Sequence, residues 1–239
     1  CFGSLSFIHH KEEKIIMKLK KIASLMLAGV MAVSMLAGCN GKTETKPEGE
    51  GEGEGTTASG YSAMLGEKAA DTLEKADKAD LFTFTDNADE QKALEQVIRD
   101  DVTQAQVLNF IQNRSVSKLA ANGDVTTAFD DKAGWTRVYN DVWFSANDDD
   151  QTINTRKIGD VWVANGNISM DNVMSTIFEA YKDDFKGAAD EGEMANTVDL
   201  SYAYNVAVSV VNVPLSAYNE FTGSVNFIAV TVTRTADYV

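Results

Sequence analysis

The chain has 239 residues, with 21 basic against 36 acidic side chains and a formal net charge of −15. A field of that sign makes nucleic acid and bare anionic lipid poor partners, and leaves cations, cationic peptides or neutral sugars as better ones. Both histidines, His9 and His10, and both cysteines, Cys1 and Cys39, fall within the first 39 residues. From Asn40 onward there is therefore no Ser-His-Asp triad, no Cys-His pair, and no histidine or cysteine ligand for zinc, copper, haem or an iron–sulfur cluster.

Residues 1–16 precede the first methionine, Met17. Lys11-Glu12-Glu13 would be encoded by a purine-rich stretch a few codons before Met17, the form of a ribosome-binding site. Residues 1–16 are therefore expected to be an untranslated leader that has been read through. Lys18, Lys20 and Lys21 then precede an apolar run, Ile22 to Ala37. A membrane-spanning helix needs about 20 such residues. The run is shorter than that, and its one-sided lysines suit a signal core. It closes on Leu36-Ala37-Gly38-Cys39. Residues 17–38 and this four-residue lipobox resemble a bacterial lipoprotein signal peptide of the Gram-positive, clostridia-like type. The resemblance implies cleavage before Cys39 and a diacylglycerol on its sulfur. The chain would then sit outside the cell, held to the outer face of the cytoplasmic membrane. Two acyl chains suffice, at about 0.8 kcal/mol per buried methylene.

Residues 39–60 read as the lipidated cysteine followed by an acidic linker. Its centre, Pro47 to Gly55, alternates glycine with glutamate and has no apolar side chain to bury. Such a stretch is expected to be disordered and extended, spanning about 25 Å if ideally flexible. It does not match Gly-x-Gly-x-x-Gly, and Gly41-Lys42-Thr43 lacks the upstream glycine of a P-loop, so no nucleotide is expected.

Residues 61–239 suit one domain. Tyr61, Leu65, Ala69, Leu73 and Ala76 recur at helical spacing, and a break follows at Leu81 to Thr85. Asn87 with Glu90 predicts a capping box. It opens a helix with an apolar stripe at Leu94, Val97, Ile98, Val102, Ala105, Leu108 and Ile111, which is expected to stop before Asn122-Gly123. Trp135 to Phe144 and Thr152 to Val163 predict two strands around an acidic turn, Asn147-Asp148-Asp149-Asp150. Ser169 is expected to cap a helix carrying Val173, Met174, Ile177, Tyr181 and Phe185, with Gly187 as its stop. Gly187 to Glu193 reads as a polar loop. Thr197 to Val213 and Ser224 to Thr235 predict two long antiparallel strands. The fold class is thus α+β: N-terminal helices packed on an antiparallel sheet, with one further helix.

Candidate sites are few. Trp135, Tyr139 and Trp143 share parity on one predicted strand and Trp162 lies on its neighbour, so a row facing outward could stack on a glycan. A row facing inward is core. Asn147, Asp148, Asp149 and Asp150 could offer oxygen ligands to calcium, without the glycine and distal glutamate of an EF-hand. Ser115-Val116-Ser117-Lys118 matches the Ser-x-x-Lys of penicillin-recognising enzymes, and Ser145-Ala146-Asn147 and Lys157-Ile158-Gly159 follow in the order those enzymes use. Their motifs, however, lie much further apart on a longer chain. No catalytic residue and no cofactor is assigned. The sequence points to a membrane-anchored, non-catalytic domain that binds a protein or glycan of the envelope. The alternatives are a carboxylate-based hydrolase acting on wall or dietary polysaccharide and a cation-binding accessory subunit.

Overall fold

The computed structural model describes residues 60–113, 115–135, 155–194, 198–216 and 221–238. Helix α1, Tyr61–Lys75, buries Ser62, Leu65, Ala69 and Leu73. Its first N–H groups have no side-chain cap of their own. Asp86, more than twenty residues away, supplies one: its carboxylate accepts from the N–H of Gly60 at 3.1 Å and of Ser62 at 3.3 Å. A negative group here also meets the positive end of the helix dipole.

A 3-10 turn, Ala79–Leu81, leads into strand β1, Phe82–Phe84. Helix α2 is Ala88–Asp101. The Asn87 side chain accepts from the N–H of Asp89 and Glu90, and its amide donates to the Glu90 carboxylate at 3.1 Å. The predicted N-cap is therefore formed, with Glu90 meeting the Asn87 side-chain amide in place of the backbone N–H of a capping box, and Asp86 and Asn87 start two different helices. The long second helix of the sequence reading is not formed. It breaks at Val102, whose backbone is extended. Thr103 and Gln106 then cap α3, Gln104–Asn113: Thr103 N–H donates to Gln106 Oε1 at 2.8 Å and Gln106 N–H to Thr103 Oγ1 at 3.3 Å. Strand β2, Val116–Lys118, lies where the sequence reading continued a helix, and helix α4, Asp124–Ala133, begins past the stop expected at Asn122-Gly123. Gly123 starts α4 rather than ending an earlier one.

Gly134 takes a left-handed conformation (φ 68°) at the end of α4, and Trp135 N–H donates back to the Asp130 carbonyl at 3.1 Å. This is a Schellman closure, with Trp135 packed edge-on against Phe129 at 4.6 Å between centroids. Trp135 therefore ends a helix instead of starting a strand.

Strand β3 is Arg156–Asn165 and helix α5 is Met170–Gly187, capped by Ser169 as predicted. Six α5 side chains, Val173, Met174, Ile177, Phe178, Tyr181 and Phe185, are buried, each worth roughly 1.5–3 kcal/mol. Strands β4, Glu191–Met194, β5, Val198–Pro214, and β6, Ser224–Tyr238, complete the described chain. The α+β class holds, with one sheet ordered β1-β5-β6-β3-β2 and β4 also on β5. The β5–β6 and β3–β6 pairings are antiparallel, whereas β1 runs parallel to β5.

Every pairing joins residues of the same parity, as in Phe82 to Tyr204, Tyr204 to Arg234, Arg234 to Arg156 and Trp162 to Lys118. Residue parity therefore names a face across the sheet. Even positions such as Trp162, Val206, Ile228 and Val230 pack with α1 and α5. Odd positions such as Val161, Val211, Phe227 and Ala229 pack with α2, α3 and α4. The domain has three layers, helices on both sides of the sheet.

Candidate functional site

Two concave surfaces stand out among the described residues. The first is a groove of about 590 Å³ between α1 and α5, lined by Lys68, Lys75, Lys182 and Lys186 with Phe178. Each lysine already has a carboxylate. Lys68 pairs with Asp171, Lys75 with Asp71 at 3.0 Å, Lys182 with Glu179 at 3.1 Å and Lys186 with Asp183 at 3.3 Å. The last three are pairs along one helix, worth about 0.3–0.5 kcal/mol each. Lys75 and Lys186 also lie in the last turns of their helices, where a cation offsets the negative end of the dipole. Four cations against four anions leave no net attraction for an anionic ligand, and two helix C-termini oppose one. The groove is a solvated charged surface.

The second is a pocket of about 450 Å³ at the end of the sheet, lined by Ile111, Asn165, Asn167, Ile168 and Thr222. Asn165 ends β3 and is fixed on both sides of its amide. Its Nδ2 donates to the Ile111 carbonyl at 3.0 Å, tying β3 to the end of α3, and its Oδ1 accepts from Asn167 N–H at 3.0 Å. The turn after it is pinned to β6 by Gly166 N–H on the Ser224 carbonyl at 2.7 Å. A Cβ on Gly166 would collide with Ser224, so the close approach needs glycine. Beside it, the Asn212 amide donates to Ser224 Oγ at 3.0 Å and to Asn226 Oδ1 at 2.7 Å. The lining is thus drawn from three separate segments, held together by the Asn165 amide and the Gly166–Ser224 contact. The exposed amide of Asn167 and hydroxyl of Thr222 stand free on it.

Groups with displaced protonation lie elsewhere. Trp162 Nε1 donates to the Tyr181 hydroxyl at 2.7 Å, and that hydroxyl donates to Asp160 Oδ2 at 2.6 Å. Burial, then the neighbouring Asp160 carboxylate, pushes the Tyr181 hydroxyl well above its usual range. Burial likewise raises Tyr204, whose hydroxyl donates to the Ala189 carbonyl, and Tyr61. The Lys78 ammonium holds Asp190 below the usual carboxylate range. None of these four lines either concavity.

The structure separates the described tryptophans. Trp162 is 6% exposed, on the α1/α5 side of the sheet. Trp135 is half-buried on the opposite side, its indole lying over Gly159, where a Cβ would meet the ring at 2.5 Å. They share no surface, so the expected aromatic row is not assembled from them; Tyr139 and Trp143 lie outside the described residues, as do Leu36, Ala37, Gly38, Cys39 and the acidic run Asn147, Asp148, Asp149 and Asp150. Lys118 pairs with Asp160 on the even face and Lys157 with Glu90 on the odd face, so the two lysines of the Ser-x-x-Lys comparison do not meet. Among the described residues no group of three or more histidine, cysteine, aspartate or glutamate side chains converges as a metal site, and no helix is long and apolar enough to cross a membrane. The sheet-end pocket was not predicted; Asn165-Gly166 marks a turn in the sequence, and nothing there joins it to Ile111 or Thr222. Comparison with protein-family models, curated proteins and solved structures found no match.

Proposed function

We propose that this chain is a lipid-anchored, extracytoplasmic, non-catalytic binding domain, with the sheet-end pocket as its ligand contact. The observation that carries the reading is the separation of concavity from perturbed chemistry. Catalytic groups with displaced protonation normally face the cleft they serve. Here Tyr61, Tyr181, Tyr204 and Asp190 are held in packing and ion pairs away from both concavities. Among the described residues the pocket lining of two amides, one hydroxyl and two isoleucines contains no carboxylate pair for hydrolysing a polysaccharide and no anionic ligand for a cation. The anchor reading rests on Leu36-Ala37-Gly38-Cys39 and the acidic linker after it.

Two measurements on the whole chain test the proposal. Cys39→Ala behind a cleavable secretory signal that lacks a lipobox should move the protein from the membrane fraction to the medium; retention of the cleaved form on the membrane would refute the anchor. The released Cys39→Ala protein should sediment with isolated wall material. Asn167→Ala with Thr222→Ala should weaken that retention severalfold without shifting the melting temperature. Equal retention of both forms would remove the pocket from the proposal.

A further inference from the structure

We infer that the sheet-end pocket takes a short stretch of a neutral oligosaccharide. The inference rests on the binding reading above and names its ligand class. Size is the first argument: about 450 Å³ falls within the roughly 300–1,000 Å³ of ordinary small-ligand sites. Charge is the second. Among the described residues the lining carries no ionisable side chain, within a chain of net charge −15. An anionic ligand would be repelled by the surrounding field and meet no cation in the pocket. A cationic ligand would find no carboxylate there. A neutral ligand rich in hydroxyls escapes both costs.

The chemistry of the lining points the same way. Asn167 offers an amide that both donates and accepts, and Thr222 a hydroxyl that does the same. These match a sugar hydroxyl, which also does both. Ile111 and Ile168 supply apolar surface for the C–H face of a pyranose ring. Phe221, adjacent to Thr222, is 47% exposed, one of two exposed large apolar side chains among the described residues. An aromatic ring presented to solvent beside neutral polar groups is suited to stack on that face. The site is rigid as well. Asn165 is locked by two hydrogen bonds and Gly166 by one, so the Asn167 backbone is placed before any ligand arrives. Less ordering is then lost on binding.

The test is an NMR titration of the isotope-labelled Cys39→Ala chain with cellotetraose, xylotetraose, mannotetraose and chitotetraose, and with polyphosphate as the anionic probe. At least one neutral tetrasaccharide should shift the amides of Asn167, Ile168 and Thr222 saturably. Phe221→Ala and Asn167→Ala, both exposed, should each weaken that binding at least fivefold with the melting temperature unchanged. If none of the four moves those amides while the wall retention described above persists and still needs Asn167 and Thr222, the sugar assignment falls and the binding reading stands. If polyphosphate shifts the pocket amides and the sugars do not, the assignment is likewise overturned. If wall retention also fails, both readings fall together.

Discussion

Tyr181 stands between a donor and an acceptor. Its hydroxyl accepts from Trp162 Nε1 at 2.7 Å and donates to Asp160 Oδ2 at 2.6 Å, while Lys118 reaches the same oxygen from the sheet edge at 3.4 Å. Tyr181→Phe keeps the packing but leaves an indole N–H and a carboxylate oxygen each short of a partner. Unmade buried hydrogen bonds cost about 1–3 kcal/mol, so urea unfolding of this variant should lose an amount in that range. A pH dependence follows from the same residue. Tyr181 and Tyr204 both have raised pKa values in the folded chain. An unfolded tyrosine titrates near 10. Below about pH 10 both states keep these protons, and the stability tied to them is fully present. Above it the unfolded chain releases them first, so stability falls as pH rises toward the folded values. The urea midpoint should therefore drop between about pH 10 and 11.5, and Tyr181→Phe should flatten that drop. An identical slope in the variant would show that the hydroxyl is not held as described. Gly159 offers a steric counterpart. Its missing side chain makes room for the Trp135 ring, so Gly159→Ala should displace the indole, red-shift the tryptophan emission and cost about 1–3 kcal/mol. Neither contact was legible in the sequence. Trp135 and Gly159 are joined only once a Schellman turn aims the ring at the sheet.

Among the described residues strand β5 is the longest strand whose outer edge has no full-length neighbour, and the chain closes that edge piece by piece. β4 pairs Val198 to Ser201, the Asp190 carbonyl accepts from Tyr202 N–H, and β1 pairs Tyr204 to Val206. Beyond that the partners are side chains. Ser62 Oγ accepts from Val208 N–H at 2.9 Å. The Gln91 amide accepts from Val210 N–H at 3.0 Å and donates to its carbonyl at 3.1 Å, as a neighbouring strand would. Gln104 does the same for Pro214 and Ser216. An unpaired strand edge invites pairing with another chain. Gln91→Ala should therefore lower stability by about 1–3 kcal/mol and introduce concentration-dependent association in sedimentation velocity. A variant that lost stability yet stayed monomeric at high concentration would show that α2 alone shields the edge. At this scale the sequence was legible where a local signal existed. Asn87 with Glu90 and Ser169 announced their helices, and the β-branched runs announced β3, β5 and β6. β1, β2 and β4 are three or four residues long, too short to show a period, and exist because β5 and β3 offer them an edge. The break at Val102 did have a local signal, Thr103-x-x-Gln106, which an unbroken apolar stripe obscured. Thr103→Ala should cost about 0.5–2 kcal/mol, the usual worth of an N-cap.

The two-sided cover of the sheet decides how the whole molecule opens. An alternating strand pattern implies one buried face, yet β6 is apolar on both parities from Phe227 to Val230. That continuous run is the sequence mark of a strand covered on both faces. The α+β class was legible from element order, but the split of the five described helices into a pair on one face and a triplet on the other was not, because it depends on which face each crossover takes. The pocket shares that dependence: Ile111, Asn165 and Thr222 meet only after α3, β3 and β6 have been laid side by side. β6 is also flanked along its length, by β5 on one edge and β3 on the other. Its amides can reach water only if a face layer and a neighbouring strand both leave. Exposed edges and ends open locally at low cost, whereas such central strands exchange through global unfolding. Native-state hydrogen exchange should therefore give Phe227, Ala229 and Thr231, or their neighbours bonded into the ladder, protection equal to the global unfolding free energy. The amides of β2 and β4, each paired on one edge only among the described residues, should exchange through smaller openings. A β6 that exchanged as fast as β2 would mean that one helical layer detaches as a unit with the strand beneath it, and that the three layers are two cooperative bodies.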